Sequence, residues 1–219
     1  MKWKLAVLDL AGTTVEDNDA VAHCLDDALR LRGFEVEFQQ IVSLMGIPKP
    51  EAVRQLAVGA SEKEQVEIHL DFQERMIRHY RESPEVREIP GTSETFRWLR
   101  SQGILVGIDT GFDRATVDIL LRRLPWEALI DASIASDEVE NGRPFPDMIF
   151  RLTERLAVAD LASVIKVGDT PSDLRQGTSA GCGMVVGVCQ GSHTKDQMAA
   201  HPHTHLIESV ADLPGLLAD

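Results

Sequence analysis

Lys4-Leu5-Ala6-Val7-Leu8-Asp9-Leu10-Ala11-Gly12-Thr13-Thr14 is a short apolar run that ends in a carboxylate and a Gly-Thr-Thr turn. A run of this length bounded by turn residues predicts a buried strand. A carboxylate at the carboxyl end of such a strand stands where open parallel sheets bind their ligands. Outward from this stretch, strand and helix patterns alternate. Residues 104–109 (Ile-Leu-Val-Gly-Ile-Asp) read as a second strand and 114–123 as a helix. A third strand falls near 132–135, a helix over 146–156, a fourth strand over 164–167, a helix over 172–179 and a fifth strand over 184–188. That alternation predicts an α/β fold: a parallel sheet with helices on both faces.

Between residues 16 and 88 the pattern changes. Apolar residues recur at helical spacing, as Val21, Cys24, Leu25, Ala28 and Leu29, then Ala52, Val53, Leu56 and Ala57, then Val66, Ile68, Leu70, Phe72, Met76 and Ile77. No strand pattern competes. The spacing predicts an all-helical domain over 16–88, inserted into a core domain formed by 1–15 and 89–219. The joins at 15–17 and 83–91, the second carrying Ser83-Pro84 and Pro90-Gly91, read as hinges.

The 219 residues carry 35 acidic and 22 basic side chains, a net charge of -13, which argues against nucleic acid or an anionic membrane as partner. No apolar run is long enough to span a bilayer. A strand begins almost at once and no signal peptide is visible. Cys24, Cys182 and Cys189 are odd in number and unpaired in spacing, so they read as reduced, mostly buried thiols of a cytoplasmic protein. His193, His201, His203 and His205 crowd the tail but have no carboxylate or Cys at ligand spacing, and read as loop histidines near a last strand. Trp98 and Leu99 read as core, and His23 as packing in the first helix of the insertion.

Four segments fall at the carboxyl ends of predicted strands: Asp9 with Ala11, Thr110-Gly111, Gly142-Arg143-Pro144-Phe145-Pro146, and Lys166-Val167-Gly168-Asp169-Thr170-Pro171-Ser172-Asp173. Taken singly, each is an ordinary cap or turn signal. Together their chemistry is complementary. Asp9 and Asp169 can hold Mg²⁺, a hard cation that prefers oxygen. Thr110 and Arg143 can hold the oxygens of a phosphoryl group, Arg by two-point contact. Asp173, one helical turn beyond Asp169, is placed to hold metal-bound water or Arg143. Phosphoryl transfer needs mainly positioning and charge neutralisation, and this set supplies both. Ala11 is the informative gap. Two residues after a nucleophilic Asp9, a phosphate-ester hydrolase wants a proton donor, and Ala11 has none.

The set resembles the haloacid dehalogenase superfamily of aspartyl-nucleophile phosphohydrolases over essentially the whole chain. The resemblance implies a Rossmann-like core, a helical cap inserted after the first strand, and Mg²⁺. It implies an aspartyl-phosphate on Asp9, with the Ala11 backbone carbonyl and Asp169 among the metal ligands. Asp-x-Ala-Gly-Thr combined with Arg143 is similar to the phosphonoacetaldehyde hydrolase (phosphonatase) branch. That branch also carries a cap lysine in a Met-Gly-x-x-Lys segment, here Met45-Gly46-Ile47-Pro48-Lys49.

The residues make chemical sense of that branch. Cleaving a C–P bond expels a carbanion, so an acid at Ala11 would be of no use and an electron sink is required. A lysine condensed with an aldehyde is such a sink. Candidate catalytic residues are therefore Asp9, Lys49, Arg143 and Thr110. Gly12, Thr13, Met45, Gly46, Gly111 and Phe112 are the candidate substrate contacts, and Asp9, Ala11, Asp169 and Asp173 the candidate metal group. Three positions depart from the branch: Ala52 stands where a His follows the lysine, Phe112 where a Tyr follows Thr-Gly, and Asp19 where a Cys is expected. The expected substrate is a small 2-oxoalkylphosphonate, phosphonoacetaldehyde or an analogue. The alternative is a Mg²⁺-dependent phosphatase or phosphomutase acting on small phosphate esters. Self-association as a homodimer is left open.

Overall fold

The computed structural model describes residues 2–218. Its elements run β1 (Leu5–Leu8), α1 (Ala20–Leu31), α2 (Phe38–Ser43), α3 (Lys49–Leu56), α4 (Glu62–Glu82), α5 (Thr92–Ser101), β2 (Leu105–Asp109), α6 (Arg114–Arg123), β3 (Ala132–Ile134), α7 (Asp147–Arg155), β4 (Val164–Gly168), α8 (Pro171–Ala180), β5 (Met184–Val188), α9 (Lys195–Ala199), β6 (His205–Ile207) and α10 (Leu213–Ala218). The strands form one parallel sheet in the order β3-β2-β1-β4-β5-β6. The order reverses between β1 and β4, and the crevice outside their carboxyl ends is where such sheets place a site. Among the described residues no helix is long and apolar enough to cross a membrane.

The period of two along β1 divides the core. Leu5 and Val7 pack with Met148, Ile149 and Leu152 of α7 and Ala180 of α8. Ala6 and Leu8 face the opposite side, with Phe96 and Leu99 of α5, Val117 and Leu120 of α6, and Leu213 of α10. Both faces of β1 are thus covered, and every β1 residue is fully buried. That explains an uninterrupted apolar run instead of an alternating one.

All four helices α1–α4 fall between β1 and β2, and no named strand lies among them. α4 begins with a capping box in which Ser61 and Glu64 satisfy each other's backbone N–H groups. Its buried stripe is Ile68, Phe72, Met76 and Tyr80, at strict four-residue spacing. Val66 and Leu70 were expected in that stripe and are instead 58% and 53% exposed. Each stands two residues, about 200°, from a stripe residue, on the opposite face of the helix. The buried stripe joins the same apolar cluster as Leu8, Ile108 and Val167 of the sheet.

The two joins lie side by side. Val15 and Glu88 form an antiparallel bridge, Glu16 N–H donates to Arg87 O at 3.1 Å, Ile89 N–H donates to Thr14 O at 2.9 Å, and the Arg87 guanidinium pairs with Glu16 at 2.7 Å. Asn18 and Asp19 then turn the chain into α1 with φ of 45° and 59°, a left-handed conformation that short polar side chains tolerate best.

Of the smaller expectations, β6 contains His205, and His201 and His203 lie in the loop before it. The three cysteines are free and only part-buried. His23 is exposed, with its ring tilted 30° against Phe38 at a centroid distance of 4.7 Å, so it packs on the surface of the insertion and not inside it.

Candidate active site

Asp9 directly follows β1 and is 4% exposed. Its Oδ1 accepts the Leu10 N–H at 2.7 Å, and its Oδ2 accepts from Arg143 Nη1 at 2.6 Å. Thr14 Oγ1 donates to the Asp9 carbonyl at 2.7 Å, which pins the turn. Gly12 has φ of 80°, and a Cβ there would collide with the Asp169 carboxylate. Only glycine lets the loops after β1 and β4 approach this closely.

Asp169 Oδ1 accepts from Thr13 Oγ1 at 3.0 Å, and its Oδ2 accepts from both the backbone N–H and Oγ of Ser192 at 2.9 Å. Burial raises the Asp169 carboxyl and the charge of Asp173 adds to the rise; the Ser192 and Thr13 hydrogen bonds oppose it. Burial likewise pushes Asp9 up to about 7, with Asp173 and Asp169 adding and Arg143 and Lys166 opposing.

Behind these groups runs a paired ion chain. Arg143 Nη1 bridges Asp9 and Asp173. Lys166, in the middle of β4 and fully buried, pairs with Asp109 and lies 3.0 Å from Asp173. The second oxygen of Asp173 accepts from Thr170 Oγ1 at 2.6 Å. Burial works against the ionised form of Asp173, but Arg143 and Lys166 outweigh it and hold the carboxyl well below its ordinary value.

The other wall comes from the insertion. Lys49 opens α3 and is 7% exposed. Its nearest polar partner is the thioether of Met45, with Nζ 4.0 Å from Sδ, and it forms no ion pair among the described residues. Burial lowers the Lys49 ammonium to about 8, and Arg143 repels it further, while Asp17 and Asp9 pull the other way. Gly46, with φ of 84°, sits against Thr170, and a Cβ there would strike the Thr170 side chain. The Met-Gly turn therefore brings the insertion onto the loop after β4.

Asp9, Ala11, Gly12, Met45, Gly46, Lys49, Thr110, Gly111, Phe112, Arg143 and Asp169 line one cavity of about 420 Å³. Two expected site residues are placed elsewhere. Thr13 is fully buried and turned onto Asp169, so it orients a carboxylate and is not on the wall. Asp173 is also behind the wall, with its oxygens committed to Arg143, Lys166 and Thr170; of the two roles open to it, the structure places it on Arg143. A second cavity of about 550 Å³ shares the wall made by Lys49, Phe112 and Arg143. Lys166, Asp109, Asp17 and Ser192 are the groups that sequence reasoning missed. Lys166 had a signal, a lone cation inside the apolar run Val164-Ile165-Lys166-Val167.

The carboxylates fit a divalent cation. Asp9, Asp109 and Asp173 bring oxygens within 4.8 Å of one another, the one such group found among the described residues. Asp169 adds a further buried carboxylate. Paired with these four are two buried cations, Arg143 and Lys166, an excess of two negative charges before the unpaired Lys49 across the cavity is counted. Asp109 and Asp173 are neutralised from behind. Within this cluster the carboxyls that face the cavity are Asp9 and Asp169, both held above the ordinary aspartate pKa, and with the Ala11 carbonyl they could hold the ion.

The description haloacid dehalogenase-like hydrolase belongs to the family model that matches residues 6–187. Phosphonoacetaldehyde hydrolase from Bacillus cereus (strain AH187) is 32% identical over 88% of this chain and 78% of its own length. The protein of the same name from Bacteroides fragilis (strain ATCC 25285) is 28% identical over 97% of this chain and 87% of its own. The solved structure of a phosphonoacetaldehyde hydrolase-like protein from Oleispira antarctica superposes with a TM-score of 0.90 at 23% identity, covering 100% of this chain and 92% of that one. The chain belongs to the haloacid dehalogenase-like hydrolases and, within them, resembles the phosphonoacetaldehyde hydrolase branch.

Proposed function

We propose that the protein cleaves the C–P bond of a small 2-oxoalkylphosphonate, phosphonoacetaldehyde or an analogue. The observation that carries this reading is Lys49: a buried amine with no carboxylate partner, on the wall of the cavity that contains Asp9, where Ala11 offers only a methyl group. The names of the curated relatives support it. In this reading the insertion is a cap, and residues 1–15 and 89–219 are the catalytic core.

Arg143 and Thr110 hold the phosphonate oxygens. The Lys49 amine condenses with the carbonyl and releases water, leaving a protonated imine. Asp9 attacks phosphorus, the C–P bond breaks, and its electron pair enters the imine as an enamine. Protonation at carbon and hydrolysis free the carbonyl product from Lys49, and water then cleaves the aspartyl-phosphate. Asp9, Asp169 and the Ala11 carbonyl would hold Mg²⁺, which when bound would supply positive charge that keeps Asp9 ionised and offsets charge on the phosphoryl oxygens. An ordinary ester phosphatase with this site would forgo an acid for its leaving group, at a cost of about 10²–10⁴ in rate.

Borohydride reduction in the presence of phosphonoacetaldehyde should leave a covalent adduct on Lys49, located by peptide mass spectrometry. A panel of phosphonates and phosphate esters, each with and without Mg²⁺, completes the test. Full activity of Lys49→Ala with no adduct, or faster turnover of sugar phosphates than of any phosphonate, would overturn the proposal in favour of an ester phosphatase or phosphomutase.

A further inference from the structure

Before an amine attacks a carbonyl it must lose a proton, and the oxygen of the addition product must gain protons before it leaves as water. The groups already placed are committed. Asp9 is held by Leu10 and Arg143, Asp169 by Thr13 and Ser192, and Asp173 by Arg143, Lys166 and Thr170. Three residues beyond Lys49 the chain has the methyl group of Ala52, fully buried.

Besides Asp169, two carboxylates on the cavity wall form no ion pair among the described residues, Asp17 and Asp19; Asp19 is exposed to solvent and Asp17 is the shielded one. Asp17 lies in the join between β1 and α1 and lines the same cavity as Lys49 and Asp9. Its Oδ1 accepts the Val21 N–H at 3.3 Å, and its Oδ2 has no hydrogen-bond partner among the described residues. Its charged neighbours arrive from several elements: Lys49 at the start of α3 attracts it, while Asp169 after β4 and Asp19 in its own join repel it. The Tyr80 hydroxyl of α4 and the Cys24 thiol of α1 also feel its charge, and burial holds both in their neutral forms. Burial pushes Asp17 up to about 6, while Lys49 is brought down to about 8. A proton passing between the two therefore climbs little.

We propose that Asp17 is the proton carrier for imine formation on Lys49, an inference that rests on the phosphonatase reading above. Asp17 and Lys49 form no ion pair, so the proton moves by way of a bridging water: the Asp17 carboxylate takes it from the Lys49 ammonium, and the freed nitrogen lone pair forms the N–C bond as the carbonyl pair moves to oxygen. Asp17 delivers that proton to the oxygen, takes a second from the nitrogen and delivers it likewise. The C–O bond breaks, water departs with both protons, the nitrogen lone pair closes the C=N bond, and the carboxylate is regenerated.

The test is the rate of borohydride-trapped adduct formation with phosphonoacetaldehyde, read by intact mass, in the wild type, Asp17→Asn, Asp17→Glu and Lys49→Arg. Asn keeps the oxygen that accepts the Val21 N–H, so a purely structural role predicts no change. Asp17→Ser, which also keeps a capping oxygen and removes the acid, replaces it if the amide variant does not fold. Proton carriage predicts trapping about 10²-fold slower at neutral pH in Asp17→Asn. The deficit should narrow as pH rises and free amine becomes available without help, and Asp17→Glu should recover most of the rate. Wild-type trapping rates in Asp17→Asn or Asp17→Ser would overturn the role of Asp17 while leaving the Lys49 imine standing. No adduct in the wild type, or an adduct undiminished in Lys49→Arg, would overturn the imine itself.

Discussion

The two buried lysines of this protein have opposite surroundings. Lys166 sits in the middle of a strand with Asp109 and Asp173 against it, and although burial opposes its charge, these partners raise its pKa above the ordinary lysine value. Lys49 is nearly as inaccessible, yet it has a thioether for company and its pKa falls to about 8. One lysine is locked into its ammonium form and the other gives up its proton within about a unit of neutral pH. A charge that serves the scaffold is paired, whereas an amine that must act as a nucleophile is left without a partner.

The sharpest way to break the comparison is at the residue both regions serve. Asp9→Asn removes the proposed nucleophile and should lower hydrolysis by about 10⁴-fold or more, measured as phosphate release. Next come the lysines as a matched pair. Lys166→Met leaves Asp109 without its cation and Asp173 with Arg143 alone, and should cost about 3–5 kcal/mol in denaturant unfolding. Lys49→Met strands no carboxylate and removes a desolvation penalty, so stability should hold or rise while phosphonate turnover falls to background. Equal destabilisation in both variants would erase the distinction.

Acidity sharpens it further. Imine formation needs the free amine, so kcat/KM for the phosphonate should rise with pH to a plateau above about 8, the value to which Lys49 is lowered. The folded value lies below the ordinary 10.5, so the unfolded chain binds more protons between the two. Stability should therefore gain from Lys49 as pH rises through that window, and Lys49→Met should flatten the gain. Asp9 has the opposite sign. Its folded value of about 7 lies above the ordinary 3.8, so its contribution is full below the lower value and is lost as pH rises through the upper one. Without divalent cation, Tm should decline over that interval, and added Mg²⁺ should raise Tm more above pH 7 than below pH 4. The smallest effect belongs to the outer face of α4: Val66→Lys should shift stability by no more than about 0.5 kcal/mol.

Most of the sheet was legible because its strands are short, apolar on both faces and closed by turn residues. Asp9, Thr110, Arg143 and Asp169 were legible because each follows such a strand, and Lys49 because Met45-Gly46 precedes it at a recognisable spacing. What stayed hidden depends on non-local pairing. Lys166 and its partner Asp109 are 57 residues apart, and nothing local says that they meet. Asp173 could be read as serving the ion or the arginine, and only the packing of Lys166 and Arg143 against it decides. Asp17 looked like hinge material until the cavity wall placed it with Lys49. Val66 and Leu70 misled because a window rich in apolar residues fits several faces, and the phase is set by what the helix packs against.

The paired joins have one more implication. Had the insertion hung from two independent tethers, it could slide, roll and twist over the sheet. Bound edge to edge through Val15–Glu88 and Glu16–Arg87, the tethers behave as a single flat strap, easy to flex in one direction and costly to shear. Any travel of the Lys49 amine over the sheet would then follow an arc whose radius the strap sets.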